Sequence, residues 1–264
     1  MVNVAVAGGS GGVGRTIVEA LSRSLHQAFV FSRKLDGDVY NKPNITTIMV
    51  DYTKAESLIR ILETYRIQKV IWAFSSRTAK LSKETKRFVP NSFAIQYPRE
   101  AVKDPPQLKD YFAVIETLHQ SEEFTVFHNG TFLDYFLPQK TRLKSYLRPN
   151  VFVIDIANTV AAIPGDGNAP LTLTFVVQSL DLKDGEWEEQ SRVIGDEISW
   201  NELVGLAEEM HVSLGCKFRV HYDPIEKLEN FEITELPDHR ALGPRLETKR
   251  SLNERFPEGY TSHS

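Results

Sequence analysis

The sequence predicts an α/β protein with a doubly wound parallel sheet and a smaller C-terminal lobe, on three observations. Short apolar runs alternate with helical stretches through the first half of the chain, the pattern of strand, crossover helix and parallel strand. A glycine-rich turn at residues 8–14 sits where the first strand hands over to the first helix,. Past residue 138 the texture changes to β-rich pieces broken by turn formers,.

Residues 2–7 read as a short buried parallel strand, and residues 13–24 as a helix with Ile17, Val18, Leu21 and Leu25 at helical spacing,. The apolar runs 28–31, 46–50 and 70–74 supply strands two to four, with a helix at 54–65 between the last two,. Residues 87–90 make a fifth strand, 108–120 a helix and 124–128 a sixth strand. Only about 12 residues separate strands four and five, so the helix there is barely two turns long. In the second half, 151–154 and 171–177 are strand-like around the turn Pro164-Gly165-Asp166-Gly167,. Helix 201–211 follows, with Leu203, Val204, Leu206 and Ala207 facing inward and Ser199 as its cap,. This predicts a dinucleotide-binding domain at 1–138 and a substrate lobe at 139–264.

The 264 residues are enough to bury a full core, and 41% hydrophobic with 25% charged residues is an ordinary globular balance,. A formal charge of -4 gives no electrostatic reason to expect nucleic acid or an anionic membrane as partner,. Cys216 stands alone, which excludes an intrachain disulfide and a thiolate zinc cluster, and the seven histidines show no ligand spacing, so no metal is expected,. No apolar run approaches the roughly 18 residues of a membrane span, and no signal-peptide pattern opens the chain, so a cytoplasmic location is expected.

The stretch Gly8-Gly9-Ser10-Gly11-Gly12-Val13-Gly14 fits both G-x-G-x-x-G and G-x-x-G-x-x-G. The first glycine lets the chain turn off the strand, a middle one lets backbone approach a pyrophosphate, and the last lets the helix pack on the sheet. Unpaired N–H groups and partial positive charge at the helix start then suit phosphate. Cofactor choice falls to the end of the second strand, where Phe31-Ser32-Arg33-Lys34 offers a guanidinium fork with Ser32 and Lys34 as supporting donors, and no carboxylate,. A 2′-phosphate matches that set, so NADP(H) is the expected cofactor.

The stretches 4–18, Lys86-Arg87-Phe88-Val89-Pro90-Asn91-Ser92-Phe93 and 124–135, with Pro164-Gly165-Asp166-Gly167-Asn168 and Val193-Ile194-Gly195-Asp196, resemble the NmrA-like and isoflavone-reductase-like branch of the atypical short-chain dehydrogenases, particularly its fungal members. The resemblance spans nearly the whole chain. It implies a Rossmann domain for NADP(H), a small substrate lobe and, in catalytic members, hydride transfer to an aromatic or enone-like small molecule. Carried over by position, Gly8, Gly11 and Gly14 hold the pyrophosphate, Arg33 the 2′-phosphate, and Asp51 with Tyr52 lies near the adenine. Phe74 and Ser75 line the cofactor's path, and Asn129, Gly130 and Phe132 flank the nicotinamide and substrate.

One departure bears on chemistry. Catalytic relatives carry a lysine near the start of the helix before the sixth strand, and matching Val114 and Leu118 places Tyr111 there instead. Lys109 is about half a turn away. Tyr111 is therefore the first candidate for the acid, with His128 and Lys109 behind it. The pair Tyr65 and Lys69 has the Tyr-x-x-x-Lys spacing but falls too early in the topology. Two roles follow: an NADPH-dependent reductase of small secondary metabolites, or a silent dinucleotide-binding regulator that acts through a protein partner.

Overall fold

The structure, a computed structural model, describes residues 1–34, 42–72, 82–97, 106–119, 123–137, 144–147, 151, 153–174, 188–192, 194–210, 217–230 and 232–239. Its centre is a six-stranded parallel sheet: β1 (Asn3–Ala7), β2 (Gln27–Ser32), β3 (Ile45–Met49), β4 (Lys69–Trp72), β5 (Arg87–Val89) and β6 (Glu123–Phe124), in the order β3-β2-β1-β4-β5-β6. The chain steps outward from β1 to β3, then returns to β4 on the other flank. The carboxyl ends of β1 and β4 thus form the topological switch point where such sheets take ligands.

Helices α1 (Gly12–Leu21), α2 (Ala55–Thr64) and α3 (Pro106–Leu118) accompany the sheet. The period of two along β1 explains its continuous apolar sequence. Val4 and Val6 pack with Ile17, Val18 and Leu21 of α1, whereas Ala5 and Ala7 pack with Leu58 and Leu62 of α2 and with Leu118 of α3. Both faces are covered, so the strand needs no polar alternate. The fold class is as expected from the sequence.

Two boundaries differ. α1 stops at Leu21, where the Ser22 and Ser24 hydroxyls donate to the carbonyls of Glu19 and Leu21 at 2.6 and 2.8 Å. Leu25, expected on its apolar face, is 85% exposed. The expected sixth strand divides in two: β6 pairs with β5, and β7 (Val126–His128) pairs in parallel with β12 (Gln190–Arg192). Thr125, fully buried between them, still donates its N–H to the Phe88 carbonyl at 3.1 Å and shares a hydrogen bond with the Ser191 hydroxyl at 2.7 Å. The short helix expected between β4 and β5 falls at 73–81, outside the described residues.

The chain forms two compact units, one of residues 1–133, 143–148 and 172–196, the other of residues 134–142, 149–171 and 197–264. The chain thus passes between the units several times, where the sequence suggests one boundary after residue 138. The first unit also holds β8 (Thr131–Phe132), which pairs with Leu173 and Thr174 of β11 (Pro170–Thr174). In the second, β9 (Ile154–Asp155), β10 (Val160–Pro164) and β14 (Arg219–Asp223) form a small sheet. Only the last residue of the expected strand 151–154 is in β9, and β10 has no alternation to announce it.

After β13 (Asp196–Ser199), α4 (Trp200–Met210) opens on a capping box. The Glu202 N–H donates to the Ser199 hydroxyl at 3.2 Å and the Ser199 N–H to the Glu202 carboxylate at 2.7 Å,. Leu203, Val204 and Ala207 are buried, but Leu206 is 48% exposed because it lies about 100° round the helix from their mean direction,. A short α5 (Ile225–Glu229) follows β14.

Candidate functional site

Each glycine of the first turn answers a different local demand. Gly8 has φ +74°, a left-handed conformation that a side chain would strain,. Its N–H donates to both the Phe31 carbonyl at 3.2 Å and the Tyr52 hydroxyl at 3.1 Å, and that hydroxyl donates in turn to the Phe31 carbonyl at 2.9 Å. Tyr52 thereby clasps the carboxyl ends of β1 and β2. A Cβ on Gly9 would lie 2.7 Å from Val30 Cγ1. On Gly14 it would collide with the Gly8 carbonyl oxygen and lie 2.7 Å from Gly9 Cα. On Gly12 it would come 2.9 Å from the Tyr146 carbonyl oxygen.

Gly11 differs from these. A Cβ there would meet only the Gly8 carbonyl oxygen, at 3.3 Å, and otherwise open space. Gly11 is also the N-cap of α1 and supplies no side-chain cap, so the first N–H groups of the helix look outward without an intrahelical acceptor,. Ser10 is exposed beside it and Val13 is half-buried on the core. A wall from residues 144–147 flanks the turn. The Arg15 guanidinium stacks 4.8 Å from the Tyr146 ring centre, and Lys144 pairs with Glu19 at 3.1 Å. The Lys144 hydrogen bond leads the causes that hold the Glu19 carboxyl below its ordinary range.

At the end of β2, Ser32 is buried and accepts the Lys34 N–H at 3.3 Å, while Arg33 and Lys34 are exposed. Burial pushes the Tyr52 phenol up against the opposing pull of the Gly8 hydrogen bond and the Arg33 charge, so it stays protonated and can hold its clasp. The exposed Asp51 carboxylate accepts both the N–H and hydroxyl of Thr53, at 3.0 and 2.6 Å, which lowers its pKa. It shapes the entry to α2. Phe74 and Ser75 lie outside the described residues.

A second locus forms at the ends of β5 and β7. A bridge joins Ala94 to His128, and the Ala94 carbonyl accepts the N–H groups of Asn129 and Gly130 at 3.0 and 3.3 Å. Ser92, His128 and Asn129 are 8%, 6% and 0% exposed. Yet Ser92 Oγ, both ring nitrogens of His128 and Asn129 Oδ1 have no hydrogen-bond partner. Burial pulls the His128 pKa below its ordinary value, so the neutral ring prevails. The Ile95 backbone and Gln190 lie close enough to favour the cation, but not in hydrogen-bonding geometry. Phe132 is buried nearby in sequence, on β8. The sequence reading named His128 and Asn129 but missed Ser92, which stands four residues past Phe88 as His128 stands four past its partner Phe124.

On α3, Lys109 is exposed. Tyr111 is half-buried, edge-on to Tyr97 and Phe112 at 5.5 and 5.0 Å, beside a cavity of about 190 Å³ that Phe124, His119 and Gln190 also line. Burial, then Tyr97, pushes its pKa up. Lys69 opens β4 at the amino end of the sheet, so the Tyr65 and Lys69 spacing has no place at the carboxyl edge. Among the described residues no three His, Cys, Asp or Glu group to hold a metal ion, and no helix is long and apolar enough to cross a membrane.

Comparison with known proteins bears on this geometry. No family model matches the chain. Over 229 residues, 78% of the chain, it is 33% identical to the oxidoreductase BOA1 of Botryotinia fuckeliana and covers 75% of that protein. The chain belongs to the isoflavone-reductase-like oxidoreductases. Another relative is the phenylcoumaran benzylic ether reductase TP7 of Nicotiana tabacum, 24% identical over 89% of this chain and 82% of its own. Among solved structures, leucoanthocyanidin reductase from Vitis vinifera superposes with a TM-score of 0.62 at 17% identity, over 86% of this chain and 79% of that one. AtPrR2 with NADP+ and (+)-pinoresinol gives 0.61 at 17% identity, over 100% and 90%. These two show the α/β fold with its central parallel sheet.

Proposed function

We propose that the protein is an NADP(H)-dependent reductase of a small aromatic or enone-like metabolite. The observation that carries this reading is Gly11. The other glycines of the turn are required by packing or backbone conformation, whereas a Cβ on Gly11 would meet only the Gly8 carbonyl oxygen, beside an uncapped helix start. A dinucleotide pyrophosphate fits that place by charge and by close backbone approach. Arg33, with Ser32 and Lys34, would take the 2′-phosphate, and Asp51 and Tyr52 border the adenine side. When bound, NADPH supplies hydride. The chain's part is to hold the phosphates, seat the substrate and place a proton, for which Tyr111, His128 and Lys109 are the candidates. Two relatives support the reading, one named a benzylic ether reductase and one holding NADP+ with pinoresinol.

Titration calorimetry with NADPH and NADH, followed by NADPH consumption over quinones, enones and benzylic ethers, tests it. Tighter binding of NADPH with turnover of at least one compound is expected. Equal affinity for the two cofactors overturns the NADP(H) assignment. Tight NADPH binding without turnover points instead to a regulator acting through a protein partner, the reading that tyrosine rather than lysine at 111 favours.

A further inference from the structure

We propose that the cavity beside α3 is a second ligand site, built for a small arylalkylamine: one aromatic ring on a short side chain that ends in an ammonium group. The described residues that line it all belong to the first unit. Tyr111 and Ile115 of α3 and His119, just past its end, stand four residues apart and so share one stripe of the helix,. The stripe runs about 12 Å along the axis. At its start Tyr97 meets the Tyr111 ring edge-on at 5.5 Å, and at its end His119 sits edge-on to Phe124 at 5.3 Å. The pairing of β12 with β7 brings Glu189 and Gln190 to the same space, and the Val126 N–H fixes the Glu189 carbonyl at 2.8 Å. This place is not the ligand edge at the switch point. β6 is the outermost strand, three positions from β1, and His119 stands four residues before β6 opens, toward the amino edge. Among the described residues, none of 128–132 and none from the ends of β1 or β4 lines the cavity.

Volume, rings and charge specify the ligand. An apolar cavity of about 150 Å³ admits benzene, so the 190 Å³ here takes a single ring with a short side chain. Tyr97, Tyr111, Phe112 and Ile115 give that ring an aromatic and apolar wall. Among the described lining residues there is no lysine or arginine, and Glu189 is the one carboxylate. It is exposed, with His119 Nδ1 at 3.5 Å. The amides at the rim are already engaged: Gln96 donates to Gln190 Oε1 at 2.7 Å, and Gln96 Oε1 accepts the Arg192 guanidinium at 2.8 Å. A carboxylate at one end of an aromatic slot draws a cation, which the ring faces also attract. An anionic ligand meets repulsion there, and a neutral one leaves Glu189 unused. The ammonium therefore goes to Glu189 at the His119 end, and the ring to the tyrosines. The site goes beyond the reductase reading and needs no cofactor.

The test is titration calorimetry on the full chain, with and without saturating NADP+, using tyramine, neutral 4-ethylphenol and anionic 4-hydroxyphenylacetate. Tyramine should bind about tenfold tighter than 4-ethylphenol, and 4-hydroxyphenylacetate should be the weakest of the three. Glu189→Gln should remove most of the tyramine advantage and leave 4-ethylphenol unchanged. Tyr97→Leu should weaken both phenols, because it removes a ring from the wall. Since Glu189 is exposed, its variant should keep the urea midpoint and the NADPH affinity of the unaltered chain. No preference for tyramine over 4-ethylphenol overturns the inference. A preference that Glu189→Gln leaves intact places the amine elsewhere and overturns it too, as does full affinity in Tyr97→Leu. Loss of NADPH affinity in Glu189→Gln, or loss of tyramine binding when NADP+ saturates the chain, would make the cavity part of the cofactor site and end the claim of a second one.

Discussion

At the carboxyl end of β1 the strand end ties up its own backbone: Tyr52 closes Gly8 onto Phe31, and Gly14 lets α1 sit directly on the turn. Two strands across, at the ends of β5 and β7, it leaves Ser92, His128 and Asn129 buried without side-chain partners. The first locus is built for backbone, so its side chains are absent or structural. The second is built of side chains whose partners are missing. The difference teaches that one edge of one sheet can hold a rigid cradle and an unsatisfied cluster together, and that substitutions should separate them by what they damage.

The largest effect is expected in the cradle's packing. Gly14→Ala puts a methyl group into the Gly8 carbonyl oxygen and should cost about 3 kcal/mol or more in urea unfolding,. A variant of unaltered stability would show that the turn relaxes and break the contrast. Gly11→Val should lower the urea midpoint far less than Gly14→Ala and weaken NADPH roughly a hundredfold or more, since its Cβ touches only the Gly8 carbonyl oxygen, at 3.3 Å,. Arg33→Ala should weaken NADPH about ten- to a hundredfold and leave NADH alone, as read by calorimetry. Tyr52→Phe removes the clasp and should cost about 1 kcal/mol in stability,.

The smallest effect belongs to the other locus. His128 is held neutral by burial, with the Arg192 charge adding to it. Its folded pKa thus lies below its unfolded one. That difference stabilises the fold above the unfolded value near 6.5 and is lost as pH falls through the folded value. His128→Gln should therefore flatten the fall in stability below about pH 6.5, measured as the difference from the unaltered chain. An identical pH profile would mean that the ring is solvated.

The cradle was legible because its demands are local. Gly8, Gly11 and Gly14 lie within one turn of chain, and each role follows from backbone geometry next to a strand. The parallel, doubly wound sheet was legible from the alternation of β1 to β6 with helices. The switch of β7 to a new partner was not, since Gln190–Arg192 lies more than sixty residues on and carries no apolar alternation. Ser92 was hidden for the same reason: only the pairing of Phe88 with Phe124 brings its loop beside His128. Leu206 misled because an apolar residue in an amphipathic helix need not face inward,.

Gly12 carries a consequence for anyone cutting the gene. The Tyr146 carbonyl and Leu147 occupy the room where its side chain would be, Arg15 stacks on Tyr146, and β7 is completed by Gln190–Arg192. A fragment that stops at residue 138 would keep every glycine of the motif but lose the flank of its first helix and the neighbour of its last strand. A minimal dinucleotide-binding module therefore has to be assembled from discontinuous pieces, by grafting 143–148 and 188–192 back or by co-expressing the remainder for complementation.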